Sequence, residues 1–262
     1  MPVRKVRPGP RLVTAALCAT LALVGYMKVS PEDSAPAAAP GPRPAAAKNA
    51  GPAAAPGSPG SAAFGAGAPP GVGPVTRTRI PDGTSQALVV TGGSHETNVA
   101  TAVLYERDDA GRWHRAAGPW SAHNALRGWA TEHWADDLRT PIGVFRLGDA
   151  GGRLPDPGAL LPYDQSEEFA SPGTGFLGEP LEGSFDYVVA IDYNRTPGTT
   201  PLDKERPLGQ ERGGGVWIHV DHGGPTQACV SLPADAMRRL LRTLNPAREP
   251  VIVMGPAAEI AR

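Results

Sequence analysis

GGGVWIHVDHGGPTQACVSLPADAMRRLLRTLNPAREPVIVMG, residues 213–255, holds in one run both periodicities from which the fold can be read. Val216, Ile218 and Val220 alternate with Trp217 and His219, which is the period-2 pattern of a strand with one buried face and a histidine near its end on the other face. Further on, Met237, Leu240, Leu241 and Leu244 fall at i, i+3, i+4 and i+7, with Arg238, Arg239 and Arg242 opposite, which predicts a helix. Pro233 suits its first turn and Asp235 the positive end of its dipole. EPVIVMG (249–255) then reads as a closing strand. Between the first strand and the helix lie His222, a Gly-Gly-Pro turn and Cys229.

Outward from this run the signals are almost all β. QALVVT (86–91), ATAVLYER (100–107) and RWHRAAG (112–118) are short, rich in β-branched or aromatic residues, and separated by the turn clusters GGSHETN and DDAG. The turn at Asp108–Gly111 suggests a hairpin. TPIGVFRLG (140–148) and FDYVVAIDYN (185–194) add two strands, while the Gly- and Pro-rich residues 149–184 read as a long loop or cover. Many strands without alternating helices exclude a Rossmann-type sheet and predict a mainly β domain with one helix after Cys229.

The N-terminus has a different composition. Arg4, Lys5, Arg7 and Arg11 precede an apolar run from Leu12 to Met27, so residues 1–30 are expected to be a signal peptide or an uncleaved membrane anchor. Ala, Pro and Gly fill 33 of the 41 positions from 35 to 75, too little apolar variety to offset ordering entropy, and residues 31–78 are expected to be a disordered linker. Residues 79–262 then form one globular domain, expected to be monomeric and exported to the extracellular space, or held at the outer face of the membrane by the anchor. The part after residue 30 carries a net charge of −6 and no basic stretch interleaved with aromatics, which argues against nucleic acid as a partner. Its one cysteine, Cys229, leaves no internal disulfide.

A thiol becomes a nucleophile near neutral pH when a base or positive charge stands beside it, and His219 at a strand end is placed for that task. His222, within the turn, is the fallback base. The amides around Ala228–Val230 are candidate oxyanion donors. Zinc held by His219, His222 and Cys229 is a competing reading, although the spacing fits no usual zinc motif. A buried thiol beside an ordinary strand histidine is the third.

IHVDHGGPTQACVSLP resembles the active-site signature of the L,D-transpeptidase (YkuD-like) catalytic domain, in which a strand-end histidine is followed by Ser/Thr-x-Gly-Cys. DLRTPIGVFRL resembles the family's Thr-Pro-x-Gly-x-Phe strand, and DYVVAIDYNR the strand and Tyr-Asn turn of the branch common in high-GC Gram-positive bacteria. The helix and closing strand follow in the family's order, so the resemblance spans residues 85 to 255. It implies a β-sandwich or barrel, Cys229 as nucleophile, His219 as general base and acid, and no metal or organic cofactor. The reaction implied is ping-pong acyl transfer between peptidoglycan stem peptides, giving a 3→3 cross-link. Thr226, Gln227, Arg139, Tyr193, Asn194 and Arg195 are the expected substrate-side residues. Gln227 stands where many members have a second histidine, Ala228 replaces the glycine before the cysteine, and Ser231 replaces Asn or Arg. A carboxypeptidase using the same acyl-enzyme and a non-catalytic wall-binding module remain the rival expectations.

Overall fold

The computed structural model describes residues 64–262, and the expected signal or anchor lies outside them. The described part is mainly β. Its strands are β1 (Phe64–Ala66), β2 (Gln86–Gly92), β3 (Val99–Arg107), β4 (Arg112–His123), β5 (Trp129–Ala130), β6 (Thr140–Pro141), β7 (Gly143–Arg146), β8 (Ala150–Gly152), β9 (Tyr163–Gln165), β10 (Val188–Ala190), β11 (Trp217–Val220), β12 (Val230–Leu232) and β13 (Val251–Pro256). Eleven of them form one sheet in the order β7-β13-β2-β3-β4-β12-β11-β10-β8-β9, with β1 added beside β4. This curled sheet is of the expected sandwich or barrel kind. The helices are α1 (Pro74–Arg77), α2 (Ala234–Thr243) and α3 (Ala257–Ile260), of which only α2 exceeds one turn. Among the described residues no helix is long and apolar enough to cross a membrane.

Strands β2 and β13 pair in parallel toward one end of the sheet, inside the edge strand β7, with Leu88 opposite Ile252 and Val90 opposite Met254. Their near-continuous apolar sequences reflect burial on both faces. Leu88, Val90, Ile252 and Met254 join the larger core, whereas Ala87, Val89, Val251 and Val253 join a second core with Ile80, Trp113 and Ile260. The pleat thus deals alternate residues of one strand to two apolar layers. Helix α2 lays Met237, Leu240 and Leu241 on the larger core, as its period predicts, with each fully buried side chain stabilising by roughly 1.5–3 kcal/mol.

Two expectations change. The ordered domain begins before residue 79. Although residues 67–78 are poor in apolar surface, their backbone is tied to the C-terminal turn, with Gly73 N–H donating to the Ile260 carbonyl (2.9 Å) and Val75 N–H to that of Arg262 (2.8 Å). Gly73 is required there, since a Cβ would sit 2.1 Å from the Ala261 carbonyl oxygen. Residues 185–194, the strongest strand in the sequence, contribute only Val188–Ala190 to the sheet. Beyond them the chain turns at Asn194, whose φ is +46°.

The feature that positions the site is the pairing of β11 with β12. They run parallel, with Ile218 opposite Val230 and His219 opposite Ser231, and are joined only by loop 221–229. Loop 221–229 therefore travels back along the sheet and delivers Cys229 beside the start of β11.

Candidate active site

Register places the residues. Parallel partners point to one face, so Trp217, His219 and Ser231 share a side of the sheet, and Cys229, one step before β12, lies beside Trp217. The contact is direct, with Trp217 N–H reaching Cys229 Sγ at 3.4 Å and the thiol facing the Gly215 carbonyl at 3.7 Å. Cys229, His219 and His222 line one cavity of about 860 Å³, together with Trp217, Phe185, Gln227 and Ala228.

His219 is 3 % exposed and its Nδ1 lies 2.9 Å from the Val220 carbonyl oxygen. A carbonyl only accepts, so Nδ1 carries the proton and Nε2 keeps its lone pair. Phe185 packs edge-on against the ring (5.2 Å) and His222 stacks on it at 5.7 Å and 7°. Burial pushes the imidazolium pKa down to about 4, with His222 adding a smaller repulsion and the Val220 carbonyl opposing. Burial likewise pushes the Cys229 thiol up to about 11, opposed by the Trp217 N–H. The resting pair is therefore a neutral thiol and a neutral imidazole.

The loop that carries the cysteine is braced from several sides. Thr226 Oγ1 donates to the Cys229 carbonyl at 2.6 Å, and Thr140 Oγ1 reaches the same oxygen at 3.3 Å. Thr226 N–H bonds the Asn124 carbonyl, and Leu126 N–H that of Thr226. Asp221 accepts from Ser231 Oγ (2.6 Å) and lies 2.8 Å from His123 Nδ1, so the position where the family's pattern has Asn or Arg here fastens the loop to its own strand. Ala228 is not among the non-glycine residues with positive φ, which meets the condition for an alanine before the cysteine. Within the described residues the N–H groups of Ala228 and Cys229 make no hydrogen bond, whereas Val230 belongs to the ladder with its side chain in the core.

The expected substrate-side residues divide. Gln227 is exposed on the cavity wall. Thr226 also borders the cavity, but it is buried and its hydroxyl is committed to Cys229. The other four lie off the cavity lining and hold the scaffold. Arg139 is paired with Glu96 (3.0 Å), and Tyr193 Oη donates to the carbonyls of His133 and Arg212. The Asn194 side chain bonds Gly209 and Gly213 carbonyls and the Leu208 N–H, and Arg195 is buried between Asp149 and Asp192. Their residue types suited substrate contact, but Tyr193, Asn194 and Arg195 are buried and Arg139 is half-buried, each with its polar groups taken up by the scaffold.

Sequence reasoning missed Phe185, Glu179 and Arg206, all at or beside the cavity. Phe185 sat inside a stretch taken as strand. Glu179 and Arg206 sit in loops whose pairing only the tertiary fold decides. Glu179 comes 3.2 Å from His222 Nδ1, and its carboxylate also takes the Leu177 N–H. Among the described residues no group of three or more His, Cys, Asp or Glu is arranged to hold a metal ion. No family model matches this chain, and no curated protein or solved structure matches it, so the site's own geometry and the motif resemblance are what any assignment rests on.

Proposed function

We propose that this chain is a cysteine-dependent acyltransferase of the L,D-transpeptidase type acting on peptidoglycan stem peptides. The observation that carries the reading is the His219 tautomer. With Nδ1 donating to the Val220 carbonyl, the basic Nε2 is left for the cavity that also exposes the Cys229 thiol. His219 takes the thiol proton as Sγ bonds to the substrate's carbonyl carbon. The oxyanion is received by the free N–H groups of Ala228 and Cys229. When the C–N bond breaks, its electron pair goes to nitrogen and the imidazolium returns the proton, so the departing amine leaves neutral and a thioester remains. An amine of a second stem peptide then attacks the thioester, gives a proton to His219, and releases the thiol.

Because thiol and imidazole are both neutral at rest, proton transfer accompanies attack in this scheme rather than preceding it. The test is intact mass of the full chain after incubation with a disaccharide tetrapeptide, with Cys229→Ala as control. A gain equal to the tripeptide acyl group, absent in the control, is expected. Adding an acceptor stem then separates cross-linking from hydrolysis. No adduct and no release of the terminal D-amino acid from a folded protein would discard the reading in favour of a binding module.

A further inference from the structure

The triplet Gly213-Gly214-Gly215 has positive φ at every residue, +65°, +147° and +66°. It forms the stretch of cavity wall that leads into β11, and the Arg206 side chain lies on it. A Cβ added to Gly214 would stand 2.2 Å from Arg206 Nε and 2.3 Å from its Cδ, so glycine is what lets the guanidinium approach. One residue then separates guanidinium and thiol. The Gly215 carbonyl is 3.7 Å from Cys229 Sγ, and a Cβ on Gly215 would be 3.5 Å from Arg206 Nη2.

Arg206 is half-buried and held in place. Its Nη1 donates to the carbonyls of Asp203 (2.9 Å) and Glu205 (2.6 Å), while Nε and Nη2 have no hydrogen-bond partner among the described residues. Several half-buried or buried arginines elsewhere are neutralised, Arg153 by Asp186, Arg195 by Asp149 and Asp192, Arg248 by Glu106, whereas the half-buried Arg107, Arg212 and Arg238, none of which lines this cavity, have no ion pair among the described residues. Arg206 has no such carboxylate within ion-pair distance in the described residues. The neighbouring Asp203 uses its Oδ1 on the Glu205 N–H, and Glu179 is engaged with His222. The exposed Lys204 and Asp136 complete the charged groups on this side of the cavity.

We propose that Arg206 is a carboxylate-binding subsite for the leaving group. A guanidinium with two free N–H donors matches the two oxygens of a carboxylate. Its separation from the thiol by a single residue suits an anion a few bonds from the attacked carbon. Stem peptides that end one residue after the scissile bond, with a free terminal carboxylate, are thereby favoured over longer or amidated ones. The assignment to a leaving group rests on the acyl-transfer reading, whereas the anion subsite beside Cys229 does not.

The experiment compares alkylation of Cys229 by iodoacetate and by iodoacetamide in the full chain, with modification mapped to Cys229. In each reaction Sγ bonds to the methylene carbon and iodide leaves, so the reagents differ in charge and not in chemistry. The iodoacetate-to-iodoacetamide rate ratio is expected to fall about tenfold in Arg206→Gln and to be partly kept in Arg206→Lys. A ratio unchanged in both variants overturns the subsite. A second arm follows thioester formation from the tetrapeptide and from its C-terminal amide. The acid should react faster in the parent chain and lose that advantage in Arg206→Gln. Equal rates for acid and amide in the parent chain would overturn the subsite while keeping the transferase. A strong iodoacetate preference with no thioester from either peptide would keep the anion subsite and overturn the transferase.

Discussion

Two loops border the cavity, and they are held by different means. Loop 221–229 is fastened to β4, β6, β12 and the 124–126 turn by backbone hydrogen bonds and by part-buried side-chain ones. The segment 173–181 is closed mainly on itself, through Gly175 N–H to the Glu179 carbonyl (2.7 Å), Leu181 N–H to that of Gly173 (3.0 Å) and a bridge between Thr174 and Pro180. Its side-chain tie to the opposite wall is Glu179 with His222, and it leaves Leu177 72 % exposed. The contrast separates two jobs. The wall that carries Cys229 has its geometry fixed by the sheet, while the facing wall is tied across the cavity by one side-chain hydrogen bond and so has a low cost of rearrangement.

Substitutions can break that contrast in order of size. Cys229→Ala should abolish the thioester adduct in the mass measurement while leaving the melting temperature nearly unchanged, because it deletes one side-chain atom and keeps the hydrogen bonds that brace the loop. His219→Gln should slow thioester formation by about a hundredfold or more. It should also alter acid stability. The folded state holds this imidazole at about 4 against 6.5, so the stability it contributes is whole above pH 6.5 and is lost as pH falls towards 4. The loss is of order 3 kcal/mol, and denaturant titrations of parent and variant across that window should show it only in the parent. The thiol works in the opposite direction, since a pKa raised from 9.0 to about 11 favours the folded state below 9 and loses that contribution as pH rises through 11.

Thr226→Val comes next, because it removes the donor to the Cys229 carbonyl and leaves only Thr140 on that oxygen. A loss of about 1–2 kcal/mol in chemical denaturation is expected, with a roughly tenfold slower acylation. The smallest effect belongs to Glu179→Gln. It should leave global stability nearly unchanged, yet speed proteolytic nicking within 173–181. Equal protection of that segment in parent and variant would erase the distinction between the two walls.

How much was legible in the sequence follows the same division. Periodicity found α2, β2, β3 and the alternation that sends Ile218 inward and His219 to the cavity, because local pattern and burial agree there. Cys229 and His219 stood out because a lone thiol near a strand-end imidazole is chemically conspicuous, and the fold brings both to one cavity. It did not find β12, whose three residues are too few to show a period, nor the parallel return that puts Cys229 beside Trp217. The four residues expected at the substrate that the fold places off the cavity lining share one cause. Arg139, Tyr193, Asn194 and Arg195 carry polar groups that look available in sequence, and only the fold supplies Glu96, Arg212, Gly213 and Asp149 as partners.

The bonds from Gly73 and Val75 to Ile260 and Arg262 have a mechanical consequence. They join residues 73–75 to the last turn, so tension applied at that last turn is borne first by this short clasp beside α3. The strands that place Cys229 and His219 lie elsewhere in the sheet, between β4 and β10. A pull on the last turn would therefore peel the clasp open before it strained the pairing of β11 with β12, which keeps the cavity residues out of that load path.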